Sequence, residues 1–182
     1  KIKNSMFKDF ELAMKKYKTY QIMDEAQYWY EHFNEKDKRL KLLEQEVISF
    51  PKYDYGYYNL AKELYFNNQY IDSEKLFKRA LQVTPDYADV YYWLGRINFD
   101  LLRKTMSEKM FLKSIELDGS QQESYYWLGK IAFEQKDYKK AKEMFYQASE
   151  LDPEDSYSFY WLGKSYYELK DLNKAEFYAK KS

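Results

Sequence analysis

The chain has no cysteine, one histidine, three prolines and five glycines in 182 residues, and its thirty basic and thirty acidic side chains cancel. Each shortage excludes something. Without cysteine there is no thiol nucleophile, disulfide or thiolate metal site, and the redox compartment stays open. A single histidine cannot build a two-histidine metal site or a histidine relay. So few glycines and prolines leave little loop in which to cradle a phosphate. A zero net charge supplies no basic field for nonspecific nucleic-acid binding. No apolar run approaches the roughly 20 residues that span a bilayer. Lys1 rather than Met stands first, as expected of a processed or trimmed chain, and the compartment is left open with the cytoplasm favoured.

What is present is a repeat. Tyr91-Tyr92-Trp93-Leu94-Gly95-Arg96 returns as Tyr125-Tyr126-Trp127-Leu128-Gly129-Lys130 and as Phe159-Tyr160-Trp161-Leu162-Gly163-Lys164, 34 residues apart each time. A period of this size signals one supersecondary unit stacked several times. Regular units span 54–87, 88–121, 122–155 and a shorter 156–182. In each, an apolar periodicity of three and four predicts a helix, a polar turn and a second, antiparallel helix. Small residues recur at one slot of the first helix (Gly95, Gly129, Gly163) and of the second (Ser107, Ala141, Ala175). Glycine in a helix interior costs about 1 kcal/mol against alanine, so the slot is expected to mark a close approach of backbones. Phe77, Phe111 and Phe145 fill the space beside it.

Residues 1–53 read as irregular N-terminal helices that include a degenerate repeat. A helix over 4–19, capped by Asn4 or Ser5, carries Met6, Phe7, Phe10, Met14 and Tyr17 on one face. It reads equally as the second half of an earlier unit, anchored by Phe10 and Ala13, or as a terminal cap. Further helices are expected over about 20–33 and up to Pro51.

These residues together resemble the tetratricopeptide repeat. Tyr125, Leu128, Gly129, Ala141, Phe145, Ala148 and Pro153 match nearly every slot of that family in the unit 122–155. The resemblance covers about 54–182 and extends weakly over 20–53, where Ala26 and Gln27 replace Leu-Gly and Arg39 and Glu46 replace the two small residues. One departure concerns tryptophan. The family often places it four residues before the glycine, where Tyr91, Tyr125 and Phe159 stand here, whereas this chain has it two residues before. The resemblance implies an all-α fold, a right-handed α-α superhelix (solenoid) of helix-turn-helix units, and a protein-interaction scaffold whose ligand lies in the concave groove of the first helices.

A rotation of about 100° per residue locates the groove face opposite Leu-Gly. It gathers Tyr58, Tyr92, Tyr126 and Tyr160, then Lys62, Arg96, Lys130 and Lys164, then Tyr65, Phe99, Phe133 and Tyr167. Asp100, Glu134 and Glu168 flank these columns. Such a lining suits a peptide or protein segment with acidic and aromatic or apolar side chains. The alternative is that lysine stems simply cover the tyrosine rings. Trp93, Trp127 and Trp161 stand at the margin, as packing between repeats or as ligand anchors.

Two subclasses within the resemblance fit poorly. Of the carboxylate-clamp slots only Asn59 and Arg96 match, with Asp24, Tyr28 and Tyr92 at the other three, and Asn59 alone fills an asparagine-lined groove. His32 is expected to be a partly buried packing residue. No catalytic constellation, cofactor or metal site is expected, nor a nucleic-acid partner. The architectural alternative is self-association into a homo-oligomer, and a further one is the docking arm of a larger enzyme.

Overall fold

A computed structural model describes residues 2–17 and 19–182. Among them every regular element is helical. The order is α1 (Ile2–Tyr17), α2 (Tyr20–His32), α3 (Lys36–Ser49), α4 (Asp54–Phe66), α5 (Tyr70–Val83), α6 (Ala88–Asp100), α7 (Lys104–Leu117), α8 (Gln122–Glu134), α9 (Tyr138–Leu151), α10 (Ser156–Glu168) and α11 (Leu172–Ala179). The chain falls into two compact units, Lys1–Pro85 and Asp86–Ser182.

The turn inside each helix pair has a fixed backbone cause. Asn34, Asn68, Leu102, Lys136 and Lys170 all adopt positive φ, between 56° and 66°, and follow one another at 34-residue steps. Each closes the preceding helix in the left-handed conformation typical of a helix C-terminus. The next residue then donates back five residues, Glu35 to Tyr30, Gln69 to Leu64, Arg103 to Asn98, Asp137 to Ala132 and Asp171 to Tyr166, at 2.8–3.0 Å. This backbone signature includes α2–α3, so the repeat register runs through the pair whose side chains depart most from the pattern.

In Asp86–Ser182 the helix pairs α6–α7 and α8–α9 close around Phe111 and Phe145, both fully buried. A Cβ added at Gly95 would lie 2.6 Å from the Phe111 ring, and one at Gly129 would lie 2.7 Å from Phe145. The close approach expected at these glycines is therefore helix backbone against a phenyl ring, not backbone against backbone. At Gly163 the nearest atom is the Ala175 carbonyl, at 3.2 Å, because Ala179 takes the phenylalanine slot. The second small slot is also satisfied chemically: Ser107 Oγ donates to the Gly95 carbonyl at 2.8 Å, as Ser73 does to Ala61 at 2.7 Å.

In Lys1–Pro85 the first core cluster joins Phe7, Met23, Ala26, Tyr30 and Leu42. Phe7, three residues before the expected anchor Phe10, is the buried side chain among the described residues of α1, with its ring 4.6 Å from Tyr30. Helix α1 begins before Asn4 and Ser5, which therefore fall inside it instead of capping it. The side chains of Asn4 and Met14 lie outside the described residues. At the degenerate crossing, Gln27 Nε2 donates to Glu46 Oε2 at 2.8 Å, and both side chains are buried. The larger pair is accommodated because Gly56 on α4 faces the carboxylate; a Cβ there would lie 3.2 Å from Glu46 Oε2.

Candidate functional site

The first helices carry the predicted groove residues, and the structure divides them by what each touches. Arg96 and Lys130 reach forward to the next repeat. The Arg96 guanidinium lies 4.1 Å from the Trp127 ring centroid, and Lys130 Nζ lies 3.6 Å from that of Trp161. Tyr92 and Tyr126 stand beside the same tryptophans, with their hydroxyls near the indoles of Trp127 and Trp161. Arg96 also donates to the Tyr92 hydroxyl at 3.1 Å. Phe99 and Phe133 stand edge-on to Trp127 and Trp161 at 4.9 and 5.2 Å, while Phe111 and Phe145 lie nearly parallel to them at 6.4 and 6.1 Å.

Each of these indoles thus meets the preceding repeat at a cation, two phenylalanine rings and a tyrosine. Aromatic pairing and a half-buried cation–π contact each contribute about 0.5–2 kcal/mol beyond area burial. The packing role foreseen for tryptophan fits Trp127 and Trp161. Trp93 is buried, with its ring 5.2 Å from Tyr92. Burial shows in the protonation equilibria: it pushes the Lys130 ammonium below the ordinary lysine range and the Tyr92 and Tyr126 phenols upward.

The remaining predicted residues behave differently. Lys62 lies over its own helix neighbour Tyr58 at 5.2 Å, and Tyr58 packs edge-on to Phe77. On α10, Lys164 Nζ sits 4.6 Å from Trp161 and 5.9 Å from Tyr160. Tyr160 and Tyr167 are 50% and 56% exposed, unlike their half-buried counterparts Tyr92 and Phe99. Of the flanking acids, Glu134 pairs with Lys104 of α7 at 2.7 Å.

In Lys1–Pro85 the same helix faces border a cavity of about 470 Å³. Its lining includes Asp24, Gln27, Asn59 and Lys62, together with the exposed rings of Tyr28, Tyr55 and Phe66. Sequence reasoning missed this feature because it depends on substitutions at slots where the regular repeats are small. Arg39, in a serine slot, pairs with Glu31 of α2 and Glu63 of α4. Glu46, in an alanine slot, is wholly buried, and its desolvation pushes the carboxyl up to about 7. Beside it Tyr53 donates to Asp24 Oδ2 at 2.7 Å, and burial raises the Asp24 carboxyl as well. His32 is exposed on the last turn of α2, stacked near Tyr28, rather than partly buried as expected. Among the described residues no group of three or more His, Cys, Asp or Glu side chains converges as metal ligands would.

With this geometry in place, the comparisons with known proteins agree. A family profile described as a tetratricopeptide repeat matches residues 58–105, and one described as anaphase-promoting complex, cyclosome, subunit 3 matches 104–182. No curated protein matches the chain. Solved structures similar to it include BtubC (BKLC) from P. vanneervenii, at 18% identity over 98% of this chain and 87% of that one, TM-score 0.80. Residues 41 to the end of MamA from Desulfovibrio magneticus RS-1 align at 16% identity over 88% and 91%, TM-score 0.75. YrrB, described as a TPR protein with an unusual peptide-binding site, aligns at 19% identity over 94% and 89%, TM-score 0.71. At these identities the likeness is one of fold. The repeat slots, the helix order and the matching profiles make this chain a tetratricopeptide repeat protein.

Proposed function

We propose that the protein is an interaction scaffold whose first-helix faces hold a peptide or segment of a partner protein. One observation carries the reading: exposed aromatic rings of the first helices, Tyr28, Tyr55 and Phe66 in Lys1–Pro85 and Tyr157, Tyr160 and Tyr167 in Asp86–Ser182, stand at predicted groove slots or the positions flanking them. Exposed aromatics on a concave, partly polar surface are the side chains that most often anchor a bound chain. Around the cavity they stand beside Lys36 and Lys62, which suits a segment with acidic as well as aromatic or apolar side chains. The solved relative described as having a peptide-binding site is consistent with this use of the fold.

Tyr92, Arg96, Tyr126 and Lys130 contribute to this surface as its floor, since their outer groups are engaged by the next tryptophan. Truncating them would loosen the repeat stack as well as the groove. The informative variant therefore combines Tyr28→Ala, Tyr55→Ala and Phe66→Ala, three exposed side chains. Affinity capture from the native source should lose its specific partner with this variant while circular dichroism shows unchanged helicity. An identical set of captured proteins would contradict the groove reading.

A further inference from the structure

The polar crossing in Lys1–Pro85 is not closed on itself, because its hydrogen bonds continue to the cavity. Glu46 is wholly buried, and its Oε2 accepts from Gln27 Nε2 at 2.8 Å. Gln27 Oε1 in turn accepts from Asn59 Nδ2 at 3.5 Å, and both amides belong to residues that line the cavity. The other carboxyl oxygen, Glu46 Oε1, is buried with no hydrogen-bond partner among the described residues. An amide has a donor at one end and an acceptor at the other, so a chain of two amides takes its direction from the group at its buried end. An ionised Glu46 only accepts. It holds the Gln27 NH2 toward itself, Gln27 Oε1 then receives Asn59 Nδ2, and Asn59 Oδ1 is left for the cavity. A protonated Glu46 has a hydroxyl hydrogen to place, and an unplaced buried donor is costly. Gln27, the neighbour it already touches, can take that hydrogen only with its amide oxygen. Turning the amide to do so brings Gln27 Nε2 against Asn59, which turns in response and offers Nδ2 to the cavity.

We propose that Glu46 is a proton switch for the cavity, its Gln27–Asn59 relay presenting a hydrogen-bond donor when Glu46 is protonated and an acceptor when it is ionised. The proposal rests on the reading of the cavity as the seat of a partner segment. An acceptor oxygen of that segment over Asn59 is then held more tightly in the protonated state, in keeping with Lys36 and Lys62 on the same lining. Desolvation moves the exchange up to about 7, with the Gln27 hydrogen bond opposing it and the Asp24 carboxyl adding to it. The other charged groups around the relay are engaged elsewhere. Asp24 of α2 accepts from Tyr53, and Glu31 of α2 and Glu63 of α4 pair with Arg39 of α3. His32 stacks near Tyr28, away from the relay, and is tested separately.

The test follows the switch by NMR on the isotope-labelled 182-residue chain, without a ligand. The Glu46 carboxyl carbon and the Asn59 side-chain NH2 signals should titrate together between about pH 5.5 and 8.5, with one midpoint. In Gln27→Met, Glu46 should still titrate while Asn59 no longer follows, and in Glu46→Gln the Asn59 response should vanish. An Asn59 signal that stays still while Glu46 titrates, or that still follows it in Gln27→Met, would overturn the proposal. So would a Glu46 carboxyl that does not titrate in this range. At the level of binding, the captured partner should be held about fivefold more tightly at pH 6 than at pH 8, the effect of one hydrogen bond, and His32→Gln should keep that ratio while Glu46→Gln brings it to about one. A ratio near one in the unaltered chain, or its loss in His32→Gln, would overturn the proposal as well. Failure of the groove reading shows separately, as capture indifferent to the Tyr28/Tyr55/Phe66 variant with the NMR titration intact; the switch would then govern no ligand.

Discussion

At the scale of single residues, the chain tolerates two kinds of local cost, and each makes a prediction. Leu102 and the lysines 136 and 170 occupy a left-handed backbone position that disfavours side chains branched from an L-centre, whereas Asn34 and Asn68 suit it better. Leu102 is 81% exposed, so nothing in packing compensates. Leu102→Asn should therefore raise stability by about 0.5–1 kcal/mol in urea unfolding. Glu46 is the second case. Burial pushes its carboxyl from the usual range near 4.5 to about 7. Between these values the folded state holds a proton that the unfolded state has released, so stability falls as pH rises through this window and is level above it. The full effect is worth up to ~3 kcal/mol. In Glu46→Gln this component of the decline should vanish, which thermal unfolding at pH 4.5, 6 and 8 will show; parallel profiles for the two proteins would contradict the assignment.

At the scale of helices, the second helix of each pair begins at a repeated slot that only some units fill with a capping side chain. Asp137 accepts from the Lys140 amide at 3.1 Å and Asp171 from the Lys174 amide at 3.2 Å, while Gln69 and Arg103 make no such bond. Arg103→Asp should add about 1 kcal/mol by supplying the missing acceptor and a favourable charge at the helix N-terminus. The glycine slot gives the opposite prediction. Gly95→Ala would set a methyl group against the Phe111 ring, where a Cβ has only 2.6 Å. It should cost about 1–3 kcal/mol despite alanine's better helix propensity.

Much of this level was legible in the sequence, because Leu94, Gly95, Ser107 and Phe111 obey spacings that only a helix pair of fixed geometry requires. The positive-φ turn was less legible, since Asn, Leu and Lys share no side-chain property and the backbone alone repeats. The cavity bordering α2 and α4 was hidden for another reason. Gln27, Arg39 and Glu46 look like failures to match until their partners Glu63 and Gly56 are seen beside them. The direction of Arg96 and Lys130 was also out of reach of a single helix projection. A 100° rotation gives the face from which a side chain leaves, whereas a long cation bends along the surface to the nearest electron-rich ring.

At the scale of the whole molecule, the two compact units apply one backbone plan in different ways. Lys1–Pro85 contains a buried polar crossing with a carboxyl that titrates near neutrality, and Asp86–Ser182 repeats an aromatic seam. The recurrent Tyr-Tyr-Trp-Leu-Gly-Lys stretch joins successive repeats, with the second tyrosine and the cation packed against the tryptophan 35 and 31 residues further on. The seam is tested by a double-mutant cycle in the 182-residue chain, Lys130→Met against Trp161→Leu, measured by urea unfolding followed by circular dichroism. The two substitutions should be non-additive, with a coupling energy of about 1 kcal/mol across the seam. Additivity within about 0.3 kcal/mol would show that the cation and the indole do not depend on one another, and that the seam does not join the repeats.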